Sequence, residues 1–505
     1  MTYLMGIDVG SSDCKVMVTT TEGQVVASSV QSYPTHYPRP GWAEQNPEDW
    51  YQAACAAVRG CLAAIDPRDV IGISVDGPAH NVALMDEAGA VLRPTIHWSD
   101  LRSKPQADRL DAAHGERIFA LTATRANPSW TLAQLLWLKD NQPDIWARLR
   151  RVLVTKDYVR FRLTGVYQTD MYDAIGTQLY DLYRGGWSDE LCGLLGFVPA
   201  WLPPVFAAAS VGGWLREAAA RDTGLLAGTP VVVGSGDLVV EAFGIGAVVP
   251  GDCIVKLGTA ANVNLVTEQP CPSQQTITYR HVVDAHWFTI TPTNSGASTM
   301  RWFRDTFCRH EVDEAAQRGI NVYQLIDELA HGAPVGSDGL LFHPYLMGER
   351  APYWDPDLRG DFVGIRAHHR LNHFARAILE GVAFSIRDCL QVVEALGQPI
   401  SSFRLIGGGA KSHLWQQVLA DVLGQPLLKP AVEDAAYGAA LLAGIAVGVF
   451  PDAASAARVC AQSEGVIEPD AAAHAYYDRA FELYQAIARD MADYNHQLAE
   501  IGKAT

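Results

Sequence analysis

Positive charge and long apolar runs are both scarce in this chain. Its 505 residues hold 39 Lys and Arg against 56 Asp and Glu, which gives a formal net charge of −17. An acidic surface argues against a general binder of nucleic acids or of anionic membranes, because both need a basic face. The longest apolar run, residues 435–450, is rich in Ala and Gly and stops at Pro451, so we interpret it as a helix packed inside a domain.

A secretion signal and paired cysteines are also lacking. Residues 1–8 lead directly into a strand-like segment, without the basic and apolar stretches of a signal peptide. The nine cysteines are dispersed, with no CxxC pair and no metal-finger spacing, which is typical of buried thiols in a reducing compartment. We therefore expect a cytoplasmic protein.

The composition is that of a folded protein with more than one core. Apolar residues make up 49% of the chain and charged residues 19%. A length of 505 residues predicts two large domains. Strand-like segments at residues 3–7, 15–18 and 70–75 alternate with helix-like segments such as residues 50–64, and this alternation predicts an α/β fold.

One structural plan occurs twice along the chain. A strand, a turn of small residues and a return strand form residues 3–18, and the same order recurs in residues 252–266. Residues 248–251, Val-Val-Pro-Gly, have the turn chemistry of a linker. The sequence therefore predicts a first domain at residues 1–248 and a second at residues 249–505.

The first of these turns is a candidate phosphate site. Asp8 ends the first strand, and Gly10, Ser11 and Ser12 form a small-residue turn before Lys15. Backbone N–H groups in such a turn can hold phosphate oxygens, and a carboxylate at a strand end can hold Mg²⁺, usually through water. Lys15 would add a positive charge. The alternative is an ordinary hairpin, and the motif alone does not decide between the two.

Two further glycine-containing turns are candidates for nucleotide binding. Gly258 and Thr259 repeat the first device, and two such hairpins across a cleft would grip one polyphosphate from both sides. Gly408, Gly409 and Ser412 belong to a three-glycine segment between an apolar strand and a helix, where a flat ring can approach the backbone and a helix N-terminus adds N–H groups. The alternative is a turn that needs positive φ, but three glycines favour a ligand.

The strand at residues 231–233 ends in small residues and one carboxylate, Asp237. A sugar hydroxyl is a poor nucleophile, and an aspartate that accepts its proton is a common solution in phosphoryl transfer. The alternative is that Asp237 caps the following helix. The chain contains neither a GxxxxGK[ST] loop nor an HRD…DFG set, so a kinase of either of those classes is excluded.

Polar and aromatic residues after two other strands are candidates for a sugar site. His80 and Asn81 follow one strand, and Trp98, Asp100 and Arg102 follow another. A lone histidine is more often structural than functional, and Asp100 with Arg102 would also suit a buried ion pair that only shapes a cleft. Trp98 offers the flat face that a sugar ring favours, although the chain has thirteen tryptophans.

These pieces, in this order, resemble the FGGY family of carbohydrate kinases. The most specific stretch is GDFVGI at residues 360–365, followed after seven residues by HFARAILE at residues 373–380. PYLMGERAP at residues 344–352 and EDAAYGAA at residues 433–440 are similar to two further family segments. The resemblance covers nearly the whole chain.

The resemblance implies two ribonuclease-H-like domains, the actin-like ATPase arrangement, flanking a catalytic cleft that takes ATP and Mg²⁺. It implies that Asp8 lies near the metal and that Asp237 is the general base. Of the turn residues, it implies phosphate contacts for Gly10, Ser11 and Ser12 in one hairpin and for Gly258 and Thr259 in the other, with Gly409 and Ser412 beside adenosine.

Within the family, the chain is most similar to the xylulokinases. IHWSD at residues 96–100 and VTKDY at residues 154–158 look like theirs. Ala79 and His80 fall where xylulokinases carry Met-His against the sugar, which implies a sugar-binding set that includes Asn81.

Three departures from the xylulokinase pattern are visible. PAHN at residues 78–81 replaces Gln-Met-His-Gly, Leu238 replaces the usual Asn after the catalytic Asp, and Gln134 replaces a Lys. The first two lie at the sugar end, so they bear on substrate identity and not on the kinase chemistry.

The expected function is ATP-dependent phosphorylation of D-xylulose to D-xylulose 5-phosphate. One alternative is an FGGY kinase for another ketose, a polyol or a sugar acid. An alternative from another class is a non-catalytic sensor of a nucleotide or a sugar on the same fold. A homodimer is common among such kinases, although no residue pattern here indicates one.

Overall fold

Two mixed β-sheets form the frame of the protein, and the computed structural model describes residues 1–283 and 285–503. The strands in chain order are β1 Tyr3–Val9, β2 Asp13–Thr20, β3 Val25–Ser32, β4 Glu44–Gln45, β5 Val70–Asp76, β6 Val82–Met85, β7 Thr95–Ile96, β8 Arg151–Val154, β9 Thr169–Asp170, β10 Tyr180–Asp181, β11 Gly186–Trp187, β12 Val205–Phe206, β13 Val211–Trp214, β14 Pro230–Val232, β15 Asp252–Leu257, β16 Ala261–Thr267, β17 Ile277–Arg280, β18 Trp287–Pro292, β19 Leu341–His343, β20 Asp361–Val363, β21 Ser402–Ile406, β22 Leu427–Pro430 and β23 Ser463–Ile467.

Helices cover the faces of both sheets. In chain order they are α1 Pro47–Cys61, α2 Lys104–Thr122, α3 Thr131–Asn141, α4 Pro143–Arg148, α5 Thr155–Thr164, α6 Met171–Gly176, α7 Asp189–Leu195, α8 Glu217–Thr223, α9 Asp237–Gly244, α10 Ala297–Phe307, α11 Arg309–Arg318, α12 Val322–His331, α13 Leu371–Ala395, α14 His413–Leu423, α15 Ala435–Ala446, α16 Ala453–Cys460 and α17 Ala471–Lys503.

The first sheet has the order β13-β14-β5-β1-β2-β3. Its central strand β1 is almost entirely apolar and buried, as expected for a strand that is covered on both faces. It pairs antiparallel with β2 and parallel with β5, and the parallel register sets Asp8 beside Asp76. Two carboxylates therefore lie side by side near the C-terminal ends of two central strands.

The second sheet repeats the core of the first. Its order is β17-β18-β16-β15-β21-β22-β23. The hairpin of β15 and β16 is antiparallel, as in β1 and β2, while β15 and β21 run parallel, as in β1 and β5. The predicted repeat of a strand, small-residue turn and return strand is confirmed.

Helix α15 joins the two halves of the sequence. It packs against β1, β5 and α9, all of which precede residue 249. The approach is close, because a Cβ added at Gly6 would lie 1.8 Å from the Ala436 carbonyl oxygen. The predicted domain boundary lies in the segment between α9 and β15 and stays a prediction, while α15 shows that the two halves share one core.

The apolar run at residues 435–450 begins with α15, whose residues are nearly all buried, which confirms a helix packed inside the protein. Within the described ranges, no helix is both long enough and apolar enough to cross a bilayer. The eight described cysteine side chains are free thiols, and seven of them are buried. The side chain of Cys460 lies outside the described residues.

Candidate active site

Asp8 and Asp76 form the floor of the candidate site. Asp76 is fully buried, and both of its oxygens, like Oδ1 of Asp8, have no hydrogen-bond partner among the described residues. Burial and neighbouring negative charge raise the pKa of both carboxyl groups. A pair of buried carboxyl groups with free oxygens is suited to a cation.

Asp237 is the first residue of α9 and is partly exposed. Its backbone N–H donates to the Gly77 carbonyl at 3.0 Å, which ties the start of α9 to the end of β5. Gly236, not Asp237, occupies the N-cap position, so the capping alternative is not what the structure adopts. Oδ1 accepts from the Leu238 N–H at 2.8 Å, and Oδ2 accepts no hydrogen bond from the described residues. Burial raises the pKa of Asp237, and the charge of Lys256 opposes that rise.

Two lysines balance this group of carboxylates. Lys256 Nζ lies 2.5 Å from Glu241 Oε2 and interacts electrostatically with Asp237 and Asp8. Lys15 forms an ion pair with Asp434, 419 residues away, and its contact with a phosphate stays a prediction.

The sequence analysis did not identify three residues of this site, Asp76, Lys256 and Glu241, although each has a recognisable position in the sequence. Asp76 ends β5, as Asp8 lies one residue before the end of β1, and Glu241 lies four residues after Asp237, on the same face of α9. Lys256 lies just before the turn of the second hairpin, as the penultimate residue of β15.

The two predicted phosphate hairpins both present their tips to solvent. In the first, the Gly10 N–H donates to the Asp13 carbonyl at 2.9 Å, and Ser11 and Ser12 are exposed. In the second, Thr259 is exposed, and the Gly258 carbonyl accepts from the Ala297 N–H at 2.8 Å. The second hairpin is thus anchored on the N-terminus of α10 while its tip stays free.

The three-glycine segment lies directly beside the second hairpin. A Cβ at Gly407, where φ is +102°, would lie 2.7 Å from the Leu257 carbonyl carbon, and one at Gly409 would lie 2.6 Å from Leu257 Cγ. Gly408 is exposed, and a Cβ there would meet nothing within 4 Å. Two of the glycines are therefore required by packing, whereas Gly408 faces space that a ligand can use.

Ser412 has a structural role of its own. Its Oγ accepts from the Trp415 N–H at 3.0 Å and so caps α14. Contact of Ser412 with adenosine stays a prediction.

An aromatic cluster surrounds His80 at the predicted sugar end. His80 Nδ1 lies 2.7 Å from the Gly176 carbonyl oxygen, so this nitrogen carries the proton and Nε2 accepts from the Tyr279 hydroxyl at 3.2 Å. The Trp130 ring packs edge-on against His80 with centroids 4.1 Å apart, and Tyr172 stacks on Tyr279 at 4.3 Å. Burial lowers the pKa of His80 to about 4, so the ring is neutral.

Tyr172, Tyr279 and Trp130 were not found from the sequence. Tyr279 reaches His80 from the second sheet, across 199 residues of chain, and no local motif marks such a contact. Ala79, predicted to lie in the sugar site, is buried against Gly176, and its contact with a sugar stays a prediction.

Trp98 links the predicted sugar and phosphate residues. Its indole Nε1 donates to Ser11 Oγ at 3.1 Å, and its backbone N–H donates to Asn81 Oδ1 at 2.6 Å. Trp98 as a whole is 39% exposed. Asn81 thus holds the backbone of Trp98, and contact of Asn81 or Trp98 with a sugar stays a prediction.

Asp100 forms the buried ion pair that the sequence analysis kept as an alternative. Its carboxylate receives a two-pronged hydrogen bond from Arg102 at 2.7 to 3.0 Å and the Ala43 N–H at 2.5 Å. Asp100 is fully buried, so these partners occupy it and we leave it out of the set proposed below to contact the sugar.

The residues on the floor fit a magnesium ion bound together with phosphates. In the described part of the chain, no group of three or more His, Cys, Asp or Glu side chains has the arrangement of a metal site. Mg²⁺ in phosphoryl-transfer sites, however, is usually held by only one or two carboxylates, with phosphate oxygens and water completing its shell. The free, buried oxygens of Asp8 and Asp76 match that requirement.

Comparisons with known proteins agree along the whole chain. Models of the N-terminal and C-terminal domains of the FGGY family of carbohydrate kinases match residues 3–244 and 253–447. The xylulose kinase of Bacillus subtilis (strain 168) is 32% identical over 508 residues, covering 100% of both chains. The gluconokinase of the same organism is 30% identical over 450 residues, 88% of each chain.

The fold of this chain also matches a solved structure. The crystal structure of a xyloylose kinase from Brucella ovis matches with a TM-score of 0.89 at 32% identity, covering 97% of this chain and 100% of that one. Together with the two sheets, this match confirms the predicted α/β fold with two domains.

Proposed function

The chain belongs to the FGGY family of carbohydrate kinases, and from this premise we propose that it transfers the γ-phosphoryl group of ATP to D-xylulose, giving D-xylulose 5-phosphate. The observation that carries the proposal is Asp237, a partly exposed carboxylate with one free oxygen beside Asp8 and Lys256. The proposed sequence of events assigns a task to each part of the site.

Asp237 accepts the proton of the attacking hydroxyl. A base is most effective when its pKa lies near the working pH, and burial moves the pKa of Asp237 in that direction. Its Oδ1 is fixed by the Leu238 N–H, so Oδ2 is the atom that receives the proton.

ATP lies between the two hairpins. The exposed N–H groups around Ser11 and Ser12 on one side and Thr259 on the other hold phosphate oxygens, and the open space at Gly408 takes the nucleoside. Asp8 and Asp76 would hold Mg²⁺ together with water, and the bound ion would neutralise phosphate charge. The cleft must also exclude water, because an open site would hydrolyse ATP.

The sugar end suits a neutral polyhydroxy substrate. His80 is uncharged and partly exposed, and the buried rings of Trp130, Tyr172 and Tyr279 pack around it and hold it in place. Similarity over the full length to a relative named xylulose kinase supports D-xylulose as the substrate of this chain. The relative named gluconokinase makes a sugar acid the main alternative substrate.

A substrate panel tests the assignment. ADP release is measured with D-xylulose, D-ribulose, glycerol and D-gluconate at saturating MgATP, and we expect the highest kcat/KM with D-xylulose. A preference for gluconate or glycerol would reassign the substrate within the family. If no sugar stimulates ADP release, the kinase proposal is wrong and a sensor is favoured.

The base assignment has its own test. Asp237→Ala should lower kcat by orders of magnitude and leave the affinity for ATP nearly unchanged. Asp313→Ala on the exposed surface of α11 is the control and should keep full activity. If Asp237→Ala retains more than about a tenth of the rate, a loss of less than ~1.4 kcal/mol, the assignment is refuted.

Two expectations from the sequence stay predictions: a cytoplasmic location and a homodimer. Light scattering on the purified protein measures the mass of the particle and decides the second.

A further inference from the structure

A buried cluster of charges lies beneath the turn that leads to Asp237. Lys156, on α5, is fully buried, and its ammonium lies 2.7 Å from Asp157, 3.1 Å from Asp170 and 3.0 Å from Asp173. Arg160 adds a second cation 3.3 Å from Asp157. Burying this many charges is costly and is by itself a weak source of stability, so the cluster needs another explanation.

Asp170 connects this cluster to the two walls of the base site. Its Oδ1 faces Lys156, and its Oδ2 accepts from the Ser235 hydroxyl at 2.7 Å and from the Tyr172 N–H at 3.1 Å. One carboxylate oxygen therefore holds both the turn before α9 and the first turn of α6.

Both groups held by Asp170 control where Asp237 lies. Ser235 is two residues before Asp237 and is buried, so its side chain fixes the turn from below. The Tyr172 ring packs on the next residue, since a Cβ at Gly236 would lie 1.9 Å from Tyr172 Cε1. The turn is thus pinned on one side by a hydroxyl and on the other by a ring, and both depend on Asp170.

We propose that Asp170, held by Lys156, is a positioning residue that sets the place of the Asp237 carboxylate through Ser235 and Tyr172. Asp170 itself does not touch the substrate. The inference rests on the proposed role of Asp237 as the base. It predicts that loss of the Ser235 hydroxyl damages the chemical step more than binding, because a displaced base misaligns the proton transfer without removing any ligand contact.

The test compares two serine hydroxyls that each donate to an ion-paired aspartate, one buried at Ser235 and one partly exposed at Ser402. Ser235→Ala removes the hydroxyl that donates to Asp170, and Ser402→Ala removes one that donates to Asp252 at 2.7 Å in the second sheet, where Asp252 is likewise ion-paired, to Arg404. We expect Ser235→Ala to lower kcat on the order of 10- to 100-fold, with KM for ATP and for the sugar changed by less than about twofold. Ser402→Ala should have a similar effect on the melting temperature and little effect on kcat.

A pH profile distinguishes positioning from an electrostatic effect. Because Ser235 is uncharged and acts on geometry, the acid limb of kcat/KM should stay in place in Ser235→Ala while the whole curve falls. A displaced limb, or a loss of kcat no larger than that of Ser402→Ala, would overturn the inference. Asp237→Asn in the same assay separates the two levels: if that variant stays active, the proposed base is wrong, whereas an inactive Asp237→Asn with an unimpaired Ser235→Ala contradicts the positioning role alone.

Discussion

Gly438→Ala should both destabilise the protein and slow the reaction, because Gly438 lies where α15 crosses α9. A Cβ added there would lie 2.0 Å from the Val240 carbonyl oxygen and 2.8 Å from its carbonyl carbon. Both atoms belong to the backbone of α9 and cannot rotate away. The helices must separate by about 1 Å to reach the 3.0 Å below which Cβ contacts are essentially not seen.

Two opposing effects set the size of the change in stability. Replacing glycine by alanine inside a helix contributes about 1 kcal/mol of stability. Overpacking that shifts backbone costs about 1–3 kcal/mol, and a clash between two helix backbones belongs at the upper end of that range. We therefore expect the free energy of unfolding to fall by about 1–2 kcal/mol. Since α9 begins with Asp237, a shift of about 1 Å should lower kcat on the order of 100-fold.

Urea denaturation and the ADP-release assay measure the two effects. Gly193→Ala in α7 is the matched control, because nothing lies within 4 Å of its added Cβ. It should raise stability by about 0.5–1 kcal/mol and leave kcat unchanged. A Gly438→Ala variant that is as stable as the parent protein and keeps kcat within about twofold would show that the two helix backbones do not clash there.

Three further predictions concern the charges and the bridge at the site. On the acid side, kcat/KM should fall at a pH above the usual pKa range of an aspartate, because burial raises the pKa of Asp237 and only its ionised form accepts a proton. Lys256→Met removes the positive charge that lowers this pKa, so it should move the acid limb of the profile to higher pH. An acid limb that does not move would contradict the electrostatic coupling of Lys256 to Asp237. The pKa of Asp8 is raised in the folded protein, so folding loses stability as the pH rises above the unfolded pKa of about 3.9. Asp8→Asn should therefore have a higher urea midpoint than the parent protein at pH 8, and a smaller advantage at pH 5. Equal urea midpoints at pH 8 would argue against a buried charge at Asp8. Tyr279→Phe removes the hydroxyl that donates to His80, so KM for the sugar should rise while KM for ATP stays constant, and the opposite pattern would move this bridge away from the sugar end.

The turns could be predicted from the sequence because their chemistry is local. Small residues between two apolar strands specify a hairpin wherever they occur, and this was enough to place the tips that carry Ser11 and Thr259. The same holds for Asp237, which follows a short apolar strand and begins a helix.

The alternatives left open by the sequence needed the tertiary structure. Asp100 and Arg102 are close in sequence, yet only the fold shows that both are buried and paired with each other, with Glu44 as a second partner of Arg102. Lys15 was predicted to contact a phosphate together with the turn beside it, but the partner that the fold gives it is Asp434, far along the chain. Charge type can be read from a sequence, whereas the partner of a charge depends on which strands become neighbours.

The amino-acid sequence alone predicts the class of the protein, the repeated hairpins and the carboxylate at the start of α9, because these depend on residues that are adjacent in the chain. The folded structure was needed to show that Asp8 lies beside Asp76, that Lys256 balances Asp237, and that Tyr279 reaches His80. Those contacts arise from strand register and from the crossing of α9 and α15. Register and crossing are set by the packing of the whole core, and no short segment contains that information.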